Sequence, residues 1–268
     1  MSKEEKLIIK ILFKKEDLKK NDFCKINFEN LIKIASSHLM LPALYINLKN
    51  KKSLSNIPKD LAYYLKEIYS LNRSRNEVII SEANEIALKF KNQKIDYIFL
   101  KGTSMLLGNY YKNIGERMIG DIDILVADKD FRKAINILKE MKYFNKNSTK
   151  ISLSNHFPRL LHNKKMIAVE IHKEILHFRA EKINKQEILN QKVRLNNNKF
   201  IPNNYFQIIH NVYNYQLNDH GYLKATYSFR SIYDILKIIK ENTHFFDKKY
   251  DKIIRCYFIV LDYILKTH

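Results

Sequence analysis

The sequence predicts an α+β fold: a small mixed β-sheet core flanked by N-terminal and C-terminal helical regions. Three observations lead there. Residues 59–93 keep a helical apolar stripe with no Gly or Pro. Residues 95–141 then alternate strand, helix, strand, helix, which places both element types around one core. Residues 1–50 and 180–268 carry apolar side chains at helical spacing. The expected division is a helical region over 1–93 that includes the long connecting helix, a sheet-bearing core over 94–178, and a helical domain over 179–268.

Each element has its own signal. Leu7, Ile8, Ile11 and Leu12 mark a first helix, and Leu31, Ile32, Ile34 and Ala35 a second. Leu39-Met40-Leu41-Pro42 ends in a turn, Ala43–Leu48 gives a short helix, and Lys49–Pro58 is a polar loop. In the long helix, Leu61, Tyr64, Leu65, Ile68 and Leu71 form a stripe that Val78, Ile79, Ala83, Ile86 and Phe90 continue. At 1.5 Å per residue it spans roughly 50 Å. Arg73 and Arg75 lie in its middle, on an expected solvated face. Ile95–Leu100 reads as a strand entering the Lys101-Gly102 turn, and Thr103–Tyr111 as a helix capped by Thr103 or Ser104. Ile119–Val126 is a second strand. Asp128 is expected to cap a helix bearing Phe131, Ala134, Ile135, Leu138 and Met141. Asn155–Leu161, the polar turn His162–Lys165 and Met166–His172 read as a hairpin. Tyr205–Leu217, Tyr222–Ile239 and Lys248–Leu265 are the strongest later helices.

Composition narrows the class. A chain of 268 residues with 46% apolar content builds one large domain or two small ones, and 5 Gly with 4 Pro disfavour an all-β protein of many tight turns. Cys24 and Cys256 lie at opposite ends without metal-ligand spacing, so a reducing compartment and a cytoplasmic location are expected. The start, MSKEEKLIIKILF, reads as a helix and not a signal peptide. No window reaches the roughly 20 apolar residues of a membrane span. The formal charge of +20 has two readings. One is a polyanionic partner such as RNA, DNA or an anionic membrane surface. The other, given more weight, is compositional bias, because Lys, Asn and Ile are inflated together while only nine Arg occur. Either way the field attracts nucleoside triphosphates and other anionic substrates.

The chemistry concentrates in Lys101–Val126. Residues i and i+2 of a strand share a face, so Asp121 and Asp123 project together with Ile122 and Ile124 opposite. Two adjacent carboxylates in an apolar strand are costly unless a cation lies between them, and oxygen ligands favour Mg²⁺ (or Mn²⁺). On Met166–His172, Ala168, Glu170 and His172 share one face and Val169 and Ile171 the other. Glu170 is therefore the candidate third carboxylate, against an ion pair at a strand edge. Nucleotidyl transfer also needs donors for a triphosphate. Gly102 admits close backbone approach, the Thr103 and Ser104 hydroxyls and helix N–H groups hold phosphate oxygens, and Lys101 and Arg117 add positive charge. The alternatives are a plain turn at Gly102, a solvated Lys101, and a salt bridge from Arg117 to the Asp pair. His172 is expected to touch nucleotide, metal water or acceptor, or to make a structural hydrogen bond. His156, His162 and His177 read as surface or packing residues, as do most of Tyr110, Tyr111, Tyr213, Tyr215 and Tyr227.

Gly102-Thr103-Ser104, Asp121-Ile122-Asp123 and the strand carrying Glu170 together resemble the DNA polymerase β-like nucleotidyltransferase superfamily. The finer pattern is Leu100-Lys101-Gly102, Arg117, Asp121–Val126 and Glu170-Ile171-His172. It resembles the bacterial NTP-transferase-5 group, whose helical C-terminal part His210 and Arg230…Asp234 also match. The resemblance covers roughly residues 70–240. Two departures stand out. Gly-Thr-Ser replaces the usual Gly-Ser or Gly-Gly, and sixteen residues separate Ser104 from Asp121, a longer interval that this branch shares. The extra loop, Asn113–Gly120, carries Arg117. The resemblance implies an enzyme that moves an NMP from an NTP to a hydroxyl and releases pyrophosphate. Asp121, Asp123 and Glu170 are then the metal ligands. Lys101, Gly102, Thr103, Ser104, Arg117 and His172 serve the nucleotide.

The acceptor is expected to be an RNA or tRNA end, a small molecule or a protein. The basic surface tilts towards an anionic acceptor such as RNA, and a toxin-like enzyme acting on tRNA is one version. An antitoxin or other protein partner is compatible with the sequence but not inferable from it. His210 with Arg230 or Asp234 is expected on the far wall of the cleft, against a simple i,i+4 pair between Arg230 and Asp234. The rival to the enzyme is a catalytically silent module that binds nucleotide or nucleic acid.

Overall fold

The computed structural model describes residues 1–145, 157–176, 182–239 and 251–267. Asn155, His156, His177 and the expected helix start at Lys248 lie outside the described residues. Ser2 opens α1 (Lys3–Phe13) with a capping box, its hydroxyl accepting from the Glu5 N–H at 3.1 Å while the Glu5 carboxylate accepts from the Ser2 N–H at 2.7 Å. Asn27 caps α2 (Phe28–Ser37), and α3 (Leu41–Asn50) starts with Pro42 in its first turn. The long helix α4 covers Lys59–Asn92, 34 residues. Asn72 and Asn76 are buried in its middle, and their amides donate to the backbone of the 113–120 loop. Arg75, expected on a solvated face, also reaches that loop and donates to Gly120 O at 3.1 Å.

The core elements follow as β1 (Tyr97–Phe99), α5 (Lys101–Leu107), β2 (Asp121–Val126), α6 (Phe131–Glu140), β3 (Tyr143–Phe144), β4 (Leu160–His162) and β5 (Lys165–His172). They form a mixed sheet in the order β1-β2-β5-β4-β3. Only the β2–β5 pair is parallel, and its register sets Asp121 opposite Ala168 and Asp123 opposite Glu170. The strands are shorter than the sequence expectation, with Ile95 and Ile119 in the irregular segments that precede them. Helix α5 begins earlier than expected, at Lys101. Its cap is Leu100, with no side-chain hydrogen bond, so Thr103 and Ser104 are interior helix residues. Asp128 opens a short 3₁₀ turn and pairs with Lys185 at 2.7 Å, while α6 starts at Phe131.

The C-terminal part is α7 (Lys185–Asn190), β6 (Val193–Arg194), β7 (Phe200–Ile201), α8 (Asn204–Tyr213), α9 (Gly221–Lys224), α10 (Phe229–Ile239) and α11 (Lys252–Thr267). The β6–β7 hairpin was not expected in the largely helical stretch from residue 180. Helix α8 runs on into a π turn, Asn214–Asn218. The expected continuous helix Tyr222–Ile239 is split, with Ala225 in the left-handed conformation ending α9.

The sheet's alternation sorts two apolar clusters. Tyr97, Phe99, Ile122, Ile124, Val126, Val169 and Ile171 pack with α4 and α6. Ile98, Leu100 and Leu125 join a cluster shared by helices from both ends of the chain, α1 to α3 and α8, α10 and α11. Asp121, Asp123, Glu170 and His172 project on this second face, towards the terminal helices. No single helix among the described residues is long and apolar enough to cross a membrane.

Candidate active site

A cleft of about 540 Å³ lies between the sheet and the C-terminal helices, within the range of small-ligand sites. Lys101, Gly102, Ser104, Asp121 and Asp123 line one side, and His210, Asn211, Arg230 and Asp234 line the helical side.

Strand period and parallel register bring the acidic residues together. The ligand atoms of Asp123, Glu170 and His172 all lie within 4.8 Å of one another. Asp123 is 2% exposed, yet its Oδ1 accepts from Lys101 Nζ at 2.5 Å and His172 Nε2 at 2.7 Å. Burial pushes its carboxyl up, but Lys101 and His172 outweigh this and hold it well below the usual carboxylate range. Asp121 goes the other way. Burial, then the neighbouring Asp123 and Glu170 charges, raise it to about 6. One strand thus carries two carboxylates with opposite proton affinities, the outcome expected when like charges share a site.

Arg159 closes the cluster. Its guanidinium donates to Asp121 Oδ2 at 2.5 Å and Glu170 Oε1 at 3.1 Å, bridging the two strands from the β4 side. Lys101 reaches Asp123 from the start of α5 with φ at 49°, in the left-handed region that a side chain rarely adopts. Gly102 is required here by packing, since a Cβ would stand 2.8 Å from Ile119 Cγ1. Thr103 and Ser104 are buried. Thr103 Oγ1 donates to Asp121 O at 3.4 Å, and Ser104 Oγ contacts Lys101 O at 2.8 Å and Gln207 Oε1 at 2.9 Å.

Arg117 pairs with Asp234 and not with the Asp121–Asp123 pair. The contact is two-pronged and buried, Nε–Oδ1 and Nη2–Oδ2 both 2.8 Å, and Tyr111 also donates to Asp234. The i,i+4 alternative is not realised, because Asp234 gives its oxygens to Arg117 and leaves Arg230 outside ion-pair range. His210 is 3% exposed. Burial drops it to about 3, so the ring is neutral, and Nε2 has no hydrogen-bond partner.

The donor set of two carboxylates, Asp123 and Glu170, and the His172 imidazole on two adjacent strands suits a divalent cation, with the Asp121 carboxylate on the same face of β2. A mixed sheet with paired acids on one strand, a third carboxylate on the strand beside it and a Gly-containing helix start next to them is the arrangement expected from the sequence resemblance. The chain belongs to the family described as uncharacterised nucleotidyltransferase, the NTP-transferase-5 group, whose model matches residues 25–257. That span exceeds the motif-bearing stretch and takes in helices from both ends. No curated protein matches the chain.

Sequence reasoning did not single out Arg159, Gln207 or Asp219, all of which line the cleft. Arginine scarcity was the usable signal. Three of the nine Arg line the cleft (Arg117, Arg159, Arg230), against one Lys.

Proposed function

We propose that this protein is a metal-dependent nucleotidyltransferase that moves an NMP from an NTP to a hydroxyl acceptor. The observation that carries the reading is the in-register pairing of Asp123 with Glu170 on one sheet face beside Asp121, with Asp121 and Asp123 lining the cleft. Asp121, Asp123 and Glu170 hold the metal, with His172 as a further ligand or as the group that orients Asp123. A bound divalent cation neutralises phosphate charge and lowers the pKa of the attacking hydroxyl. The acceptor oxygen bonds to the α-phosphorus, the α–β P–O bond breaks, and pyrophosphate leaves. Glu170, whose carboxylate lies beside that of Asp123, takes the acceptor proton. In this reading Lys101 and the start of α5 at Gly102 hold phosphate oxygens. Thr103 and Ser104 position that helix, and Arg117, paired with Asp234, is part of the cleft wall. An RNA end is the favoured acceptor class, given the +20 charge.

One observation favours a silent binding module instead. Lys101 and Arg159 already neutralise the carboxylates through direct ion pairs. Pyrophosphate release decides between the two readings. The protein is incubated with each of four NTPs, Mg²⁺ and total tRNA, aminoglycosides or sugars, beside an Asp121→Ala/Asp123→Ala control, and acceptors are weighed by mass spectrometry. A metal-dependent NMP mass absent from the control supports transfer. NTP binding without pyrophosphate release supports the silent module. Binding indifferent to loss of the Asp pair refutes the metal site.

A further inference from the structure

Arg230 lies in the first turn of α10, lines the cleft, and is only partly exposed. Two acids attract it, but neither pairs with it. Asp234 spends both oxygens on Arg117, with Tyr111 and Asn211 as further donors. Asp219 lies beyond ion-pair distance on the π-turn side. No hydrogen bond or ion pair holds the Arg230 guanidinium among the described residues. Arg117 beside it adds repulsion, and burial and this repulsion lower its pKa. A charge withdrawn from water without a counterion is costly. The cost is removed when an anion enters the cleft.

The other cleft cations do not share this condition. Lys101 is on Asp123, Arg117 on Asp234, and Arg159 on Asp121 and Glu170. Among the described residues that line the cleft, Arg230 is the cation left over, and its planar fork matches two oxygens of one phosphate. Its place at the start of α10 adds the positive end of the helix dipole to the same spot. We propose that Arg230 is a phosphate-binding residue on the helical wall of the cleft, a subsite separate from the carboxylates. It rests on the nucleotidyl-transfer reading for the identity of the phosphate, which comes from either the NTP tail or the acceptor.

The test uses the full chain, Arg230→Gln and Arg230→Lys. Calorimetry follows Mg²⁺ with tripolyphosphate, the four NTPs, the four NMPs, and inorganic phosphate added to NTP-saturated protein. Circular dichroism and Mn²⁺ binding confirm that each variant keeps its fold and its carboxylate site. If the NTP tail is the source, Arg230→Gln weakens tripolyphosphate and NTP at least tenfold, leaves NMP unchanged, and Arg230→Lys recovers part of the loss. If the acceptor is the source, NTP binding holds, and the variant loses phosphate binding to the NTP-loaded protein. Unchanged binding of all these anions in a folded Arg230→Gln overturns the proposal. The nucleotidyl-transfer reading fails separately, when Asp121→Asn/Asp123→Asn leaves Mn²⁺ binding intact, whatever happens at Arg230.

Discussion

Removing Arg117 should unfold the protein more readily than any comparable surface change. Its guanidinium makes three contacts with Asp234, at 2.8, 2.8 and 3.1 Å, and the two side chains are 10% and 4% exposed. Arg117→Met leaves a buried carboxylate with only Tyr111 and Asn211 as donors. Stranding one partner of such a pair costs about 3–5 kcal/mol. That is a large share of the roughly 5–15 kcal/mol that holds a domain folded. Asp234→Leu should cost a similar amount, because it strands Arg117. The double variant removes both charges and should lose at least about 2 kcal/mol less than the two singles added together. The chain has no Trp, so urea unfolding is followed by circular dichroism at the helix band. Additivity within about 0.5 kcal/mol, or an Arg117→Met loss below about 1 kcal/mol, refutes the reasoning. The double variant, folded without the pair, also reports whether Arg117 itself is needed for NTP affinity.

Three further outcomes are expected. In metal-free protein, the rise of Asp121 from 3.8 to about 6 means that stability falls as pH climbs through this window, by roughly 3 kcal/mol before solvent screening. Asp121→Asn should therefore be about 2 kcal/mol more stable than wild type at pH 7.5 in EDTA, with the gap closing by pH 4; an equal gap at both pH values counts against the shift. Arg159→Ala removes the cation between Asp121 and Glu170, and because its side chain is 54% exposed the effect is small: Mn²⁺ should bind about three- to fivefold more tightly by calorimetry, and weaker binding argues that Arg159 supports the metal site. Gly102→Ala forces a Cβ against Ile119 and should cost about 1 kcal/mol in urea unfolding, whereas adding it to an Ile119→Ala background, itself less stable than wild type, should cost close to nothing further.

Local periodicity explains what was readable in the chain. Asp121-Ile122-Asp123 and Glu170-Ile171-His172 both alternate with period two, so their faces were legible before the fold was known. Their alignment was not, because parallel pairing joins segments 47 residues apart and leaves no local mark. The same holds for Arg117 and Asp234, which meet across 117 residues. Strands of two residues, such as Tyr143–Phe144 and Val193–Arg194, are too short to show a period. The break at Ala225 was hidden because no Gly or Pro marks it, and the left-handed backbone is adopted by residues without that preference. Arg159 escaped notice because its meaning comes from the neighbouring strand and not from its own sequence context.

The apolar cluster that joins both ends of the chain also constrains how the protein is made. Lys14 donates to Leu265 O, Tyr227 to Glu5, and Asn47 to Tyr233. The first of these contacts spans 251 residues. At a synthesis rate of about 5–20 residues per second, α1 waits roughly 13 to 50 s on the ribosome before α11 emerges. For that interval Leu7, Ile8 and Ile11 lack the last of their packing partners, although α2 and α3 are already present. The helical wall that carries Arg230 is thus among the last parts of the cleft to be completed, and a nascent chain holds the carboxylate strands before it holds a closed site.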